Sequence, residues 1–206
     1  MIWLLTRSAG VGAYLMLYLA VAWGLLATTS LVTKRVSKRS STAFHGFVAS
    51  AGLFLLALHL TGLLLDRFVR FDLLDLVIPF HSSFRPFALA LGIVAMFATV
   101  IVLASSWTRK LLPAAWWRSV HLLAVPTFAM ALLHGLLAGS DSVRPGMTNL
   151  YWATGFTVLF LVLVRGLTAR PPRAQRPRTD GAEPVPRQPR TPTRSATSVS
   201  ALPADP

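Results

Sequence analysis

Cysteine is absent from all 206 residues. That excludes covalently attached c-type haem, cysteine-ligated iron–sulfur clusters, disulfides and a thiol nucleophile, and it leaves the redox compartment undefined. Charge is scarce too: Asp, Glu, Lys and Arg make up 13% of the chain, and only seven residues are acidic. Soluble domains carry about 25% charged residues, so a large soluble domain is excluded. Nor does any glycine-rich phosphate loop precede a helical pattern, so no flavin or nicotinamide site is expected on this chain.

What the chain has instead is apolar length. Hydrophobic residues are 54% of the total and the mean hydropathy is +0.59. Five runs of about 20 residues, at 10–32, 43–65, 87–105, 116–138 and 149–167, are each long enough to cross a bilayer. The expected fold is an all-α integral membrane protein, a five-helix transmembrane bundle over residues 1–168. A secretory leader is the alternative for the first run, but its only preceding basic residue is Arg7 and further basic residues follow it directly, which favours a retained helix.

Basic residues alternate between loops. Lys34, Arg35, Lys38 and Arg39 follow the first run, and Arg109, Lys110 and Arg118 lie between the third and fourth. The positive-inside rule places these loops and the C-terminus in the cytoplasm and the N-terminus outside a cell membrane. The opposite segments hold Arg7, Arg67, Arg70, Arg85 and Arg144 with Asp66, Asp72, Asp75 and Asp141. Beyond residue 169 the composition turns to proline and arginine, nine and seven respectively from Arg170 onward. Such a segment has too little apolar content for a core and is expected to be a disordered cytoplasmic tail. The net charge of +13 is therefore explained by topology and tail and does not indicate nucleic-acid binding.

Four histidines interrupt the apolar runs: His45 and His59 in the second, His121 and His134 in the fourth. Ionisable residues inside hydrocarbon are expensive and mark functional candidates. At 1.5 Å per residue, the first pair is separated by ~21 Å along its helix and the second by ~20 Å. One crossing lies between the two helices, so they run in the same direction. His45 then faces His121, and His59 faces His134. Each level offers two imidazoles, the axial ligand set of a six-coordinate haem. Angular phase is less favourable: 14 residues fall ~40° short of whole turns, and 13 residues fall ~140° short. A kink at Pro126, between His121 and His134, is the expected way to bring both onto one face.

The histidine spacing, Trp117-Arg118 and the segment HGLLAGSDS from His134 to Ser142 together resemble the ferric-reductase-like transmembrane domain family. That family includes the membrane parts of ferric reductases and NADPH oxidases and the haem subunit of bacterial methionine-sulfoxide repair systems. The resemblance covers residues 10–167. It implies two non-covalent haem b groups, with His45 and His121 as iron ligands of an inner one and His59 and His134 of an outer one. It also implies electron transfer across the membrane to an extracytoplasmic acceptor. Oxidases and ferric reductases continue into flavin and nicotinamide domains, whereas a proline-rich segment follows here. The expected donor is thus a separate flavoprotein or a membrane quinol, docking near the basic loops, and no reduction by NADPH alone is expected.

Haem propionates need cationic or hydrogen-bonding partners. Arg118, with Ser41 and Thr42, is the candidate on the inner side; Arg85, with His81, Ser82 and Ser83, is the candidate on the outer side. Phe128, halfway between His121 and His134, is a candidate inter-haem residue or an ordinary core aromatic. His81 reads as an exposed loop histidine, and Trp107, Trp116 and Trp117 as interfacial belt residues. Two rivals share the histidines: a quinol-linked cytochrome b of another type, and a proton or metal transporter.

Overall fold

The structure, a computed structural model, describes residues 2–27, 36–66 and 71–168. All described regular structure is helical: α1 Ile2–Leu26, α2 Lys38–Leu65, α3 Leu73–Val77, α4 Pro86–Trp107, α5 Ala114–Leu122, α6 Ala124–Ala138 and α7 Pro145–Thr168, with a 3-10 turn at Arg109–Leu111. Five spans are long and apolar enough to cross a membrane, α5 and α6 together forming the fourth. In hydrocarbon every backbone N–H and C=O needs an internal partner, which a continuous helix supplies. The chain is a multi-pass membrane protein with the expected five-helix bundle.

Helix ends follow local chemistry. Ser37 caps α2 by accepting from the Ser40 N–H at 3.1 Å. Asp72 and Asp75 form a capping box around α3, a short helix the hydropathy pattern does not mark. Pro86 opens α4, where its missing N–H removes nothing the helix uses. The helices of the second to fifth spans extend beyond the apolar runs that mark them, and the first differs most: α1 begins at Ile2, not residue 10. Arg7 does not end it, because its guanidinium pairs with Asp141 and stacks on Trp3 at 4.3 Å. Residues 28–32 of the expected first span, Lys34, Arg35, Arg67, Arg70 and the tail from 169 lie outside the described residues.

The fourth span is broken. The helical ladder gives way to a three-residue step, Leu123 N–H to Val120 O at 3.1 Å, and resumes with Thr127 N–H to Leu123 O at 2.9 Å. The break at Leu123 lies just before Pro126, which cannot donate to the Leu122 carbonyl and whose ring crowds that turn. Thr127, almost fully buried, returns its hydroxyl to the Leu123 carbonyl at 2.6 Å.

Packing sorts the spans into two antiparallel pairs. α1 lies closely along α2, and α4 lies along α6. Small residues permit the first approach: a Cβ at Gly52 would stand 3.1 Å from Met16 Cβ, and one at Gly62 would collide with Thr6. By contrast α2, which bears His45 and His59, makes at most a marginal backbone approach to α5, which bears His121, or to α6, which bears His134. The core is aromatic. Phe128 stacks on Tyr14 at 5.7 Å, and Tyr151 meets Tyr14 edge-on at 5.3 Å. The Tyr14 hydroxyl is hydrogen-bonded to Thr154, tying α1 to α7.

Candidate functional site

The four histidines gather at two heights. His45 and His121 face one another with ring centroids 5.9 Å apart and planes at 68°. His59 and His134, toward the opposite ends of their helices, each rest against a companion helix. All four rings are half-buried.

Each ring leans on the companion helix of its pair. His59 Nδ1 lies 2.9 Å from the Thr6 carbonyl of α1, and His134 Nδ1 lies 2.8 Å from the Ala88 carbonyl of α4. In both cases the fourth residue onward is glycine. A Cβ at Gly10 would stand 2.8 Å from His59 Nδ1, and one at Gly92 would stand 2.6 Å from His134 Nδ1. The missing side chain is what lets the ring reach the helix backbone. Since a carbonyl only accepts, the proton of His59 and of His134 must sit on Nδ1, leaving Nε2 with its lone pair.

At the other height the device recurs in weaker form. Gly24, 14 residues after Gly10, faces His45, but a Cβ there would stand 3.4 Å from Cε1. His45 Nδ1 is directed at the Ala20 carbonyl without reaching hydrogen-bond geometry. Ser106, 14 residues after Gly92, places its hydroxyl 3.4 Å from His121 Nδ1. That hydroxyl is already engaged with the Val102 carbonyl at 2.7 Å. Trp117, one turn before His121, stacks on the imidazole at 5.2 Å and 24°.

The break at Leu123 matters here. Gly92 and Ser106 lie ~40° apart on α4, which is one face. Both His121 and His134 reach that face, although 13 residues of unbroken helix would turn them ~140° apart.

Other sequence candidates fall around these levels. Arg85, the left-handed residue (φ 43°) before α4, donates to the Leu137 carbonyl near the end of α6 and lies 5.8 Å from the Phe84 ring. This covers an orphan carbonyl one turn beyond His134. Arg118 is exposed and makes no side-chain ion pair or hydrogen bond among the described residues. Phe128, 2% exposed, belongs to the core and packs against Tyr14 and Tyr18, between the levels of Gly10 and Gly24 along α1. His81 is exposed and paired with Asp75 at 2.9 Å, away from the four rings. Trp116 and Trp107 point outward, whereas Trp117 turns in.

Residue-type reasoning missed Gly10, Gly24, Gly92, Ser106 and Trp117. Their signal was available: small residues on two apolar runs repeat at 14, the same interval as His45 and His59. Among the described residues no cluster of three or more His, Cys, Asp or Glu could hold a metal ion. Comparison of the chain with protein-family models, curated proteins and solved structures yields no match.

Proposed function

We propose that the chain binds two b-type haems, one between His45 and His121 and one between His59 and His134, and passes electrons across the membrane. The observation that carries the reading is the pair of Nδ1 contacts to helix carbonyls over glycine, at His59 and His134. Metal-ligating histidines typically donate their second ring N–H to a carbonyl in this way, which fixes the tautomer and aims Nε2. Two imidazoles per level, with no third His, Cys, Asp or Glu grouped with them among the described residues, suit a cofactor that brings its own equatorial ligands. A metal bonded at about 2.0–2.1 Å to one nitrogen of each of two opposed imidazoles sets the ring centres about 6.4 Å apart, within about half an ångström of the spacing found here. The rings of His45 and His121 are 5.9 Å apart. Loose backbone approach of α2 to α5 and α6 leaves width between the histidine helices.

Haem held by two imidazoles supplies a one-electron couple with no open iron position, so transfer is outer-sphere. The chain's part is to fix four rings at two heights and to exclude water with the Tyr14–Phe128–Tyr151 core. Lys38, Arg39, Arg109 and Lys110 lie at the His45–His121 end, and the acids Asp66, Asp72, Asp75 and Asp141 at the other. The positive-inside rule puts the former end in the cytoplasm. There the chain accepts an electron from a flavoprotein or quinol, and at the outer end it gives one up to an extracytoplasmic acceptor. A proton relay fits less well, because it requires ring nitrogens free to exchange protons, and two of the Nδ1 atoms are held by carbonyls.

The deciding measurement is a reduced-minus-oxidised absorption spectrum with haem extraction on the purified protein. Two non-covalent haems per chain are expected. None, or iron without porphyrin, would overturn the reading. Reduction kinetics with a flavoprotein or with a quinol as the sole donor then separate the two sources.

A further inference from the structure

Among the described residues two buried side-chain nitrogens have no hydrogen-bond partner, His45 Nδ1 and Trp117 Nε1. Both lie at the His45–His121 level. The other level has neither, since the Thr6 and Ala88 carbonyls occupy its Nδ1 atoms. A donor kept from water and left unpaired costs about 1–3 kcal/mol; the Ala20 carbonyl stands before His45 Nδ1, whereas nothing among the described residues accepts from Trp117 Nε1, which indicates an acceptor that those residues do not supply.

Trp117 is the more informative of the two. An indole Nε1–H can only donate, so its partner must be an acceptor. The ring is locked by its stack on His121 at 5.2 Å, while its neighbour Trp116 is 59% exposed. Trp117 also lies one helical turn from His121 towards the basic end of the bundle. Arg118, beside it, is exposed. A group bound against His121 therefore meets a fixed neutral donor, not a cation.

Resting on the haem reading above, we propose that Trp117, and not Arg118, holds the anionic edge of the inner haem, its Nε1–H donating to a propionate carboxylate oxygen. The indole acts twice: its face orients the His121 imidazole, and its edge anchors the porphyrin. A charge-assisted hydrogen bond in a low-dielectric site is among the stronger kinds.

The test uses the haem-loaded full chain, comparing wild type with Trp117→Phe and Arg118→Gln. Haem release to apomyoglobin is followed for each of the two components. Phenylalanine keeps an aromatic face for the stack and loses the N–H together with part of the indole's bulk, and the ester comparison below separates the two losses. Trp117→Phe is expected to release one haem about 10- to 100-fold faster, with the second haem unchanged as the internal sign of an intact fold. Arg118→Gln is expected to match wild type. Reconstitution with the dimethyl ester of haem, which lacks the carboxylates, should make wild type and Trp117→Phe alike. Equal release from wild type and Trp117→Phe, with two haems bound, would overturn the proposal and leave the haem reading standing. Persistence of the difference with the ester would show that the acceptor is something other than a propionate, such as a lipid headgroup, and would also overturn it. Accelerated loss of both haems alike would overturn the assignment to one level. A wild-type chain without haem would remove both readings.

Discussion

The two histidine levels are built from one plan and finished differently. At the His59–His134 level, glycine on the companion helix brings each ring onto a carbonyl at 2.8–2.9 Å. At the His45–His121 level, the matching small residues are Gly24 and Ser106, the approach is looser, and one Nδ1 remains unpaired. The same 14-residue interval thus yields a tightly held pair and a loosely held one. Ring orientation depends on tenths of an ångström in helix approach, and spacing along the chain does not control that distance.

Replacing the proposed haem ligands is the strongest way to break this comparison. His134→Ala and His59→Ala are expected to give one single-haem species, and His45→Ala and His121→Ala the other, as read by haem-to-protein ratio and absorption spectrum. If His45→Ala and His134→Ala gave the same species, the pairing by height would be wrong.

Glycine substitutions sharpen the contrast without touching a ligand. Gly92→Ala and Gly10→Ala place a Cβ 2.6 and 2.8 Å from imidazole atoms, and overpacking of this kind typically costs about 1–3 kcal/mol. Both should lower thermal stability in detergent and weaken the His59–His134 level selectively. Gly24→Ala, whose Cβ would meet His45 at 3.4 Å, should be close to neutral on the same assays. Equal damage from Gly24→Ala and Gly92→Ala would show that the levels do not differ as described.

A smaller effect is expected at Ser106. Its hydroxyl is 3.4 Å from His121 Nδ1 and already donates to Val102, so Ser106→Ala removes less than about 1 kcal/mol. The spectrum of the His45–His121 component alone should shift, with the other component as reference.

The smallest effect is expected in the loop beyond the His59–His134 end. The hydrogen bond from His81, then that from the Asp72 N–H, hold the Asp75 carboxyl below the usual carboxylate range. A depressed carboxyl stabilises the folded form at pH above its unfolded value, about 3.9. That contribution disappears as pH falls through the folded value. Asp75 lies at the surface with its side chain partly covered, so solvent screening keeps the contribution small. His81→Ala should move the Asp75 titration upward by NMR and leave both haems bound. Loss of a haem in this variant would bring His81 into the site.

Much of the fold was legible because lipid leaves few alternatives. Apolar runs of about 20 residues became helices, and their interruptions became ends. The misplacements have local causes. Arg7 looked like a flank because its partner, Asp141, is more than a hundred residues away. α3 is invisible to hydropathy because a capping box, not an apolar face, builds it. The histidine candidates were legible by residue type in hydrocarbon. Trp117 was not, since an interfacial tryptophan and one stacked on an imidazole look alike in sequence. Arg118 and Trp117 are neighbours, and only helix rotation decides which one faces inward.

The sequence by itself determined that the chain crosses the membrane five times and that its histidines stand at two heights, because hydrocarbon enforces helices and helical rise per residue is constant. Azimuth and approach were left to the tertiary structure. The break at Leu123 turned His121 onto the α4 face that His134 also meets, and close packing over Gly10 and Gly92 put two ring nitrogens on backbone carbonyls. Both outcomes depend on contacts between helices far apart in the chain, which no local periodicity encodes.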